Sequence, residues 1–223
     1  GLCLKSGNAV LLKGGREALH TNEALFAVLR DASVGCGLPE GWCGLLTTRE
    51  DVGVMLGMDE DIDLIIPRGS NAFVRYIMEN SRIPVLGHSD GVCHVYVDAD
   101  CDAQMAAHIA VDAKTQYPAA CNAAETLLIH SAQLKGALPV IGRALVQAGV
   151  ELHADERARE ALYACGVAST KATDADWGHE YLAPEMAVRV VDSLEEAIAY
   201  INAHGSHHTD CIVTRDEGAA GRF

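Results

Sequence analysis

The chain has 223 residues, enough for one large domain or two small ones, and 49% of them are hydrophobic, which predicts a buried core and a globular fold. Its formal net charge of −14 argues against nucleic acid or an anionic membrane as a partner, because either would need a basic face. No apolar run approaches the roughly 20 residues that span a bilayer.

Apolar runs alternate with amphipathic stretches along the first half of the chain, a pattern that indicates strands and helices in turn. The predicted strands are residues 9–12, 44–46, 64–66, 85–86 and 92–97. The predicted helices are residues 23–30, 50–55, 70–80 and 102–113. We expect Thr21 or Asn22 to cap the first of these helices, because a short polar side chain can accept a hydrogen bond from the first turn.

The alternation resumes after residue 125. The predicted strands are residues 126–130, 151–153, 187–191 and 211–214. The predicted helices are residues 134–148, 155–165 and 194–204. The polar interval 168–178 is predicted to be an exposed loop. This order predicts an α/β fold in which helices wind a parallel sheet, with a boundary near residue 115.

One cysteine lies among small residues just before an apolar run, in the segment Gln-Tyr-Pro-Ala-Ala-Cys-Asn-Ala-Ala-Glu-Thr at 116–126. Small neighbours let a substrate carbonyl approach the sulfur of Cys121. A nearby cation, helix N-terminus or set of N–H groups can lower a thiol pKa from about 8.5 towards neutrality. The alternative is an inert cysteine, because this residue commonly packs as a small hydrophobe. The segment alone leaves both interpretations open.

Six ordered blocks spanning nearly the whole chain carry a more specific signal. They are LKSGNAVLLKGG at 4–15, IPRGSN at 66–71, PVLGH at 84–88, CHVYVD at 93–98, the Cys121 segment, and HHTDCIVT at 207–214. In these blocks the chain resembles the gamma-glutamyl phosphate reductases, or glutamate-5-semialdehyde dehydrogenases, of the aldehyde dehydrogenase superfamily. The blocks are especially similar to the reductase half of the bifunctional pyrroline-5-carboxylate synthases of eukaryotes. The resemblance implies an aldehyde dehydrogenase-like fold.

Against that family, the chain is expected to be truncated at both ends. It opens inside the first block and stops before a closing block that is rich in Asn, Arg, Phe and Gly. The resemblance divides it into a partial NADP-binding, Rossmann-like domain at 1–114 and a catalytic domain at 115–223 whose C-terminal part is missing.

The resemblance implies NADPH-dependent reduction of gamma-glutamyl 5-phosphate to glutamate-5-semialdehyde plus phosphate, in proline biosynthesis. Cys121 would displace phosphate and form a thioester, which hydride from the nicotinamide then reduces through a hemithioacetal. The backbone N–H of Cys121 or the side chain of Asn122 would donate to the oxyanion. Oxidising aldehyde dehydrogenases carry a water-activating glutamate in the block that reads Val-Leu-Gly-His at 85–88 here, and its absence agrees with reduction.

Three residues after the first predicted strand are assigned to the adenosine end of the cofactor. The residues alone are equally consistent with a surface lysine and a turn. The resemblance implies that Lys13 and Glu17 lie near the adenosine ribose. Arg16 would pair with a 2′-phosphate, which favours NADP(H) over NAD(H), because a fixed cation suits a phosphate.

Three further residues are assigned to the rest of the cofactor. Gly69 and Ser70 start a helix after a predicted strand, so free N–H groups there can receive a pyrophosphate. Glu180 resembles the superfamily glutamate that positions the nicotinamide ribose. The alternatives are an ordinary strand-to-helix turn and a surface carboxylate.

Histidines at 204, 207 and 208 are spaced like metal ligands, but no Cys or carboxylate pair accompanies them. We therefore expect no metal, and a loop near the active site. His88 and His94 are expected to be structural.

The expected partners are gamma-glutamyl phosphate and NADPH, a second copy of the chain in a homo-oligomer, and a fused or associated glutamate 5-kinase. The eight cysteines include no Cys-x-x-Cys pair, and no signal peptide is visible, which favours a reduced, cytoplasmic compartment. A mitochondrial location is the alternative, because a removed targeting segment would leave the same sequence. The alternative function is a truncated, non-catalytic assembly or interaction module.

Overall fold

The computed structural model describes residues 1–87 and 90–223, apart from the side chain of Arg49. The chain divides into two compact units, Gly1–Ser89 and Asp90–Phe223. This division differs from the predicted boundary after residue 114, which falls inside the second unit. The assignment of 1–114 to cofactor binding and of 115–223 to catalysis stays a prediction. His88, expected to be structural, lies outside the described residues.

The first unit contains two parallel strands, β1 (Val10–Lys13) and β2 (Cys43–Leu46). Its helices are α1 (Leu2–Lys5), α2 (Leu19–Gly35), α3 (Arg49–Met55) and α4 (Asn71–Asn80). Helix α2 connects the two strands, since a parallel pair needs a crossover rather than a tight turn. In the part of this unit that follows β2, the core consists of Leu56, Ile65, Ile77 and Ile83.

The second unit contains six parallel strands wound by helices. The strands are β3 (Cys93–Val97), β4 (Ala124–His130), β5 (Glu151–Ala154), β6 (Thr170–Lys171), β7 (Glu185–Val191) and β8 (Asp210–Val213). The helices are α5 (Ala103–Thr115), α6 (Ala137–Gln147), α7 (Glu156–Ala164), α8 (Leu194–His204) and α9 (Glu217–Arg222). The sheet order is β6-β5-β7-β4-β3-β8, and every pair is parallel.

Both faces of this sheet are covered, as parallel sheets require. Helices α5, α6 and α7 pack on one face through small and branched residues such as Ala110, Leu138 and Leu162. Helices α8 and α9 pack on the other face through residues such as Ile201 and Ala219. Strand β4 lies in the middle, so all its residues before His130 are buried. In the described parts of the chain, no helix is long and apolar enough to cross a membrane.

The predicted α/β class with a helix-wound parallel sheet is confirmed. All predicted helices are present, and so are the predicted strands apart from 64–66 and 85–86, with ends shifted by a few residues. Those two strands are wrong as full strands, because only the single bridge between Ile65 and Val85 forms. The interval 168–178 is not a plain loop, since it contains the edge strand β6. Helix α9 is not predicted from the sequence.

The predicted N-cap residues of the helix at 23–30, which is α2 in the structure, are also wrong. Helix α2 begins at Leu19 with Ala18 as its N-cap residue, and no side chain caps it. A 3-10 turn at Arg16–Ala18 leads directly into the helix, which places Thr21 and Asn22 inside its first turn.

Asp155 joins a helix to the sheet with both oxygens of one carboxylate. Its Oδ1 accepts the Ala158 N–H at 2.7 Å and caps α7, and its Oδ2 accepts the Val190 N–H of β7 at 2.7 Å. Asp155 therefore fixes the start of α7 against the central sheet.

Replacing Asp155 with Ala should remove both hydrogen bonds and lower the free energy of unfolding by about 1–3 kcal/mol. Urea unfolding followed by circular dichroism measures the change. Asp174→Ala, at an exposed aspartate that begins the 3-10 turn Asp174–Asp176, is the control and should leave the midpoint unchanged. Equal midpoints for the two variants would contradict this account of Asp155.

Candidate active site

The amino ends of three neighbouring strands bring reactive side chains of the second unit together. Cys93 begins β3, Asp210 begins β8, and Cys121 lies shortly before β4. Parallel strands present their amino ends at one edge of a sheet. Cys121 thus lies at the amino edge, whereas open α/β sheets usually bind ligands at the carboxyl edge.

Cys121 lies in two consecutive turns between α5 and β4. The Ala120 N–H donates to the Tyr117 carbonyl at 3.0 Å, and the Ala123 N–H donates to the Ala120 carbonyl at 2.9 Å. Between these bonds, the N–H groups of Cys121 and Asn122 have no hydrogen-bond partner among the described residues. The thiol is half-buried and unpaired, and Asn122 is exposed. The turns therefore present a thiol beside free backbone donors.

Gly91 packs directly on the backbone of Cys121. A Cβ atom at Gly91 would lie 2.0 Å from the Cys121 carbonyl oxygen, which no side chain can tolerate. The Gly91 N–H donates to Glu180 Oε1 at 3.0 Å. The structure therefore brings Glu180, one of the predicted cofactor residues, to the Cys121 segment.

Cys93 lies behind the Cys121 turn. Its buried thiol donates to the Cys121 carbonyl at 3.3 Å, and its Sγ is 4.0 Å from His208 Nδ1. Burial raises the pKa of the Cys93 thiol to about 11. Cys93 therefore stays protonated at neutral pH and supports the turn, while Cys121 is the more accessible of the two thiols.

The loop between α8 and β8, which contains His207 and His208, lies at the same edge, whereas His204 ends α8. His208 approaches Cys93, and His94 Nδ1 lies 2.8 Å from Asp210 Oδ1. The His94 side chain is fully buried between β3 and β8, which agrees with its expected structural role. Among the described residues, no group of three or more His, Cys, Asp or Glu could hold a metal ion.

A fully buried ion pair joins the two ends of the segment that carries Cys121. Lys114 in the last turn of α5 and Glu125 in β4 place Nζ and Oε2 2.6 Å apart, and neither side chain is exposed. Burial raises the pKa of Glu125, and the Lys114 charge opposes that shift. The Lys114 ammonium also lies 5.9 Å from the ring centroid of Tyr181, which follows Glu180 in sequence.

In the first unit, Lys13 lies at an apolar groove of about 300 Å³ formed by β1, β2 and α2. The residues lining the groove are Leu12, Lys13, Gly14, Asn22, Leu25, Phe26, Leu29 and Leu45. Arg16 is exposed in the 3-10 turn after β1, and no described residue pairs with it. The Glu17 carboxylate lies over Gly15, where a Cβ atom would be 1.8 Å from Oε1. Of the three predicted adenosine residues, only Lys13 lines the groove, and Arg16 and Glu17 lie in the 3-10 turn that follows it in sequence.

Gly69 and Ser70 lie where α4 begins, as predicted. Ser70 is the N-cap residue, and its hydroxyl accepts the Phe73 N–H at 3.4 Å. A Cβ atom at Gly69 would lie 2.9 Å from the Phe73 ring. Pyrophosphate binding at this helix start stays a prediction.

Comparison with known proteins places this fold and site in a family. The sequence model of the aldehyde dehydrogenase family matches residues 1–145, more than half of the chain. The chain belongs to the aldehyde dehydrogenase family. Members of this family use a nicotinamide cofactor.

Individual relatives of this aldehyde dehydrogenase chain show a more specific similarity than the family model does. It is 57% identical to the gamma-glutamyl phosphate reductase of Pelotomaculum thermopropionicum and 54% identical to that of Ruminiclostridium cellulolyticum; each alignment covers 100% of the chain and 50% of the relative. The crystal structure of the gamma-glutamyl phosphate reductase of Thermotoga maritima superposes with a TM-score of 0.94 at 37% identity, covering 100% of this chain and 53% of that one. The chain spans about half the length of the curated relatives it matches.

Several residues of this aldehyde dehydrogenase site are not predicted from its sequence. They are Gly91, Cys93, Lys114 and Glu125. Gly91 and Cys93 act across 28 to 89 residues of sequence, so no local pattern indicates their contacts. The two charged residues carry only a weak signal, because other polar residues lie in the same helix and strand.

Glu125→Gln should lower the free energy of unfolding by about 3–5 kcal/mol, because it leaves the Lys114 charge buried without its partner. The double replacement Lys114→Met with Glu125→Leu should cost much less, since it removes both charges. Urea unfolding of the chain gives both values. As a control, Glu195→Gln breaks an exposed ion pair with Arg222 and should change little. A double variant as unstable as the single one would sink the argument.

Proposed function

We propose that this chain provides the nucleophile and part of the cofactor site of an NADPH-dependent gamma-glutamyl phosphate reductase, which forms glutamate-5-semialdehyde in proline biosynthesis. The single observation that supports it most is the geometry of Cys121. Its half-buried thiol lies beside two unused backbone N–H groups, in a chain 57% identical to a protein of that name.

In the proposed reaction, the Cys121 sulfur attacks the acyl carbon of gamma-glutamyl phosphate. The C–S bond forms as the bond to phosphate breaks, which leaves a thioester on the enzyme. The N–H groups of Cys121 and Asn122 donate to the carbonyl oxygen as negative charge develops on it. One such donor is typically worth about 2.7–4 kcal/mol in the transition state.

The nicotinamide supplies hydride for the second half of the reaction. The N–H groups of Cys121 and Asn122 then hold the oxygen of the tetrahedral carbon until the C–S bond breaks. The sulfur stays on Cys121, and the aldehyde is released. The proposal assigns the nicotinamide ribose to the Glu180 carboxylate, which accepts the Gly91 N–H beside the Cys121 turn. Residues 85–88 contain no carboxylate that could activate water, as the glutamate of oxidising aldehyde dehydrogenases does. Of that block, Val85 to Gly87 are among the described residues.

We further propose NADP(H) as the cofactor. The apolar groove suits an adenine ring, and the glycine backbone at 14–15 leaves room for the side chains of Asn22 and Glu17 to lie over it. Arg16 has no carboxylate partner among the described residues, so its guanidinium is available for a 2′-phosphate.

A homo-oligomer, an associated glutamate 5-kinase and a cytoplasmic location remain proposals of the same kind. The eight cysteines, all unpaired, support a reducing compartment.

Cys121→Ala should lower semialdehyde formation by at least about a thousandfold in the active protein that contains this chain, while NADPH affinity is kept. The thiolate forms the acyl intermediate but contributes little to cofactor binding. Steady-state reduction, or the reverse phosphate-dependent oxidation, measures the loss, and mass spectrometry locates the acyl adduct. Cys165→Ala is the control, because that thiol only bonds the Leu162 carbonyl. Normal turnover by Cys121→Ala would refute the mechanism.

Arg16→Ala should weaken NADPH binding by about tenfold and NADH binding by less than about twofold, because only NADPH carries the 2′-phosphate. Fluorescence titration of the two cofactors gives the dissociation constants. Arg82→Ala removes an exposed arginine of the same unit that lies outside the segment following β1, and should change neither constant. Equal weakening of both cofactors would show that Arg16 does not bind the 2′-phosphate.

A further inference from the structure

Arg189 carries a positive charge that no carboxylate among the described residues neutralises. It lies in β7 and is partly exposed. Its guanidinium carbon is 5.0 Å from the ring centroid of Trp177 and 5.1 Å from that of Tyr200. No carboxylate pairs with it anywhere in the described ranges, although the chain has 31 acidic residues against 17 basic ones. Cation–π contacts hold the guanidinium in place while leaving its N–H donors unused.

Two buried hydroxyls on the same side of the sheet as Arg189 lack a hydrogen-bond partner among the residues that the structure describes. Tyr200 Oη and Thr126 Oγ1 are both inaccessible to solvent, and neither has a hydrogen-bond partner within the described part of the chain. Burial raises the pKa of Tyr200 to about 12, and the Arg189 charge opposes that shift. Thr126 pairs with Ala187, two residues before Arg189, so the side chains of Thr126 and Arg189 lie on the same face of the sheet. Native proteins rarely leave buried hydroxyls unbonded, so this arrangement is suited to a bound acceptor.

The cluster lies next to the proposed active site in the same sheet. Thr126 is in β4, shortly after Cys121, and pairs with Ala187 of β7. Trp177 precedes Glu180 in the loop that reaches Gly91. A ligand held by Arg189 would therefore contact the strand and the loop that also position Cys121 and Glu180.

We propose that Arg189, Tyr200 and Thr126 bind an oxyanion. The guanidinium supplies parallel N–H donors to two oxygens, and the two hydroxyls supply O–H donors. The identity of the anion rests on the proposed function. It is an anionic group of gamma-glutamyl phosphate, either the phosphate or the α-carboxylate, since both present oxygens in a geometry that a guanidinium binds. Anion binding itself does not depend on the reaction.

The test uses Trp177 as the reporter. The chain has two tryptophans, so Trp42→Phe leaves Trp177 as the only one. The fluorescence of this chain is titrated with inorganic phosphate and, separately, with L-glutamate, at constant ionic strength set by sodium chloride. We expect a saturable change with at least one of them. Saturation by phosphate alone identifies the phosphate group, and saturation by glutamate identifies the α-carboxylate.

Arg189→Gln should weaken the saturable binding by about tenfold or more, because it removes a charged donor. Tyr200→Phe keeps the ring beside Arg189 and removes only the hydroxyl, so it should weaken binding by a smaller factor in a protein that still folds. Arg143→Gln, at an exposed arginine of α6, is the matched control and should leave binding unchanged.

Two results would overturn the proposal. One is no saturable change with either anion, and the other is equal affinity in the original chain and in Arg189→Gln. The titration involves no turnover, so either result would leave the assignment of Cys121 untouched. Conversely, normal activity of Cys121→Ala would refute the reaction but not the binding of an oxyanion at Arg189.

Discussion

The buried ion pair between Lys114 and Glu125 is the constraint on which the Cys121 turn depends. The two residues lie at the two ends of the segment that carries the cysteine, at the close of α5 and the start of β4. In a buried ion pair, the attraction between the charges offsets the cost of removing them from water only when the two groups are close and well oriented. The pair therefore holds the two ends of the segment at a fixed separation. The turns between them are short, and their own bonds are few. Fixing the ends therefore limits where the thiol can lie.

The position of the site follows from the same arrangement. Helices α5 and α8 both end at the amino edge of the sheet, so their C-terminal carbonyls, and not their N–H groups, point towards it. A helix dipole there would disfavour a thiolate. Among the described residues, the N–H groups of Cys121 and Asn122 that have no hydrogen-bond partner can supply favourable charge at the thiol.

Much of the fold could be predicted because local chemistry and long-range packing agree. Asp102, Asp155 and Ser193 each cap the helix that follows them, and β4 contains the apolar run Leu127–Ile129, so the sequence marks these elements directly. The bridge at Ile65 and the strand β6 could not be predicted reliably, because each depends on whether a distant strand lies alongside.

For the candidate site, the residue types were predictable and the contacts were not. The small neighbours of Cys121 and the glycines after β1 are local signals. The close packing of Gly91 on Cys121, and the aromatic rings around Arg189, join segments that lie far apart in the chain. A single sequence gives the chemistry of such residues but not their distance from one another.

The sheet order also determines when this edge can form during synthesis. Strand β3 is made early, yet its outer neighbour is β8, and the bond between His94 and Asp210 spans 116 residues. Pairings of such high sequence separation form slowly, because the intervening chain must first be ordered. A ribosome therefore releases β3, with Cys93 at its start, well before the strand that covers it exists. Until then β3 is an open edge that can pair with other chains, and the reactive edge of the sheet is completed near the end of folding of this unit.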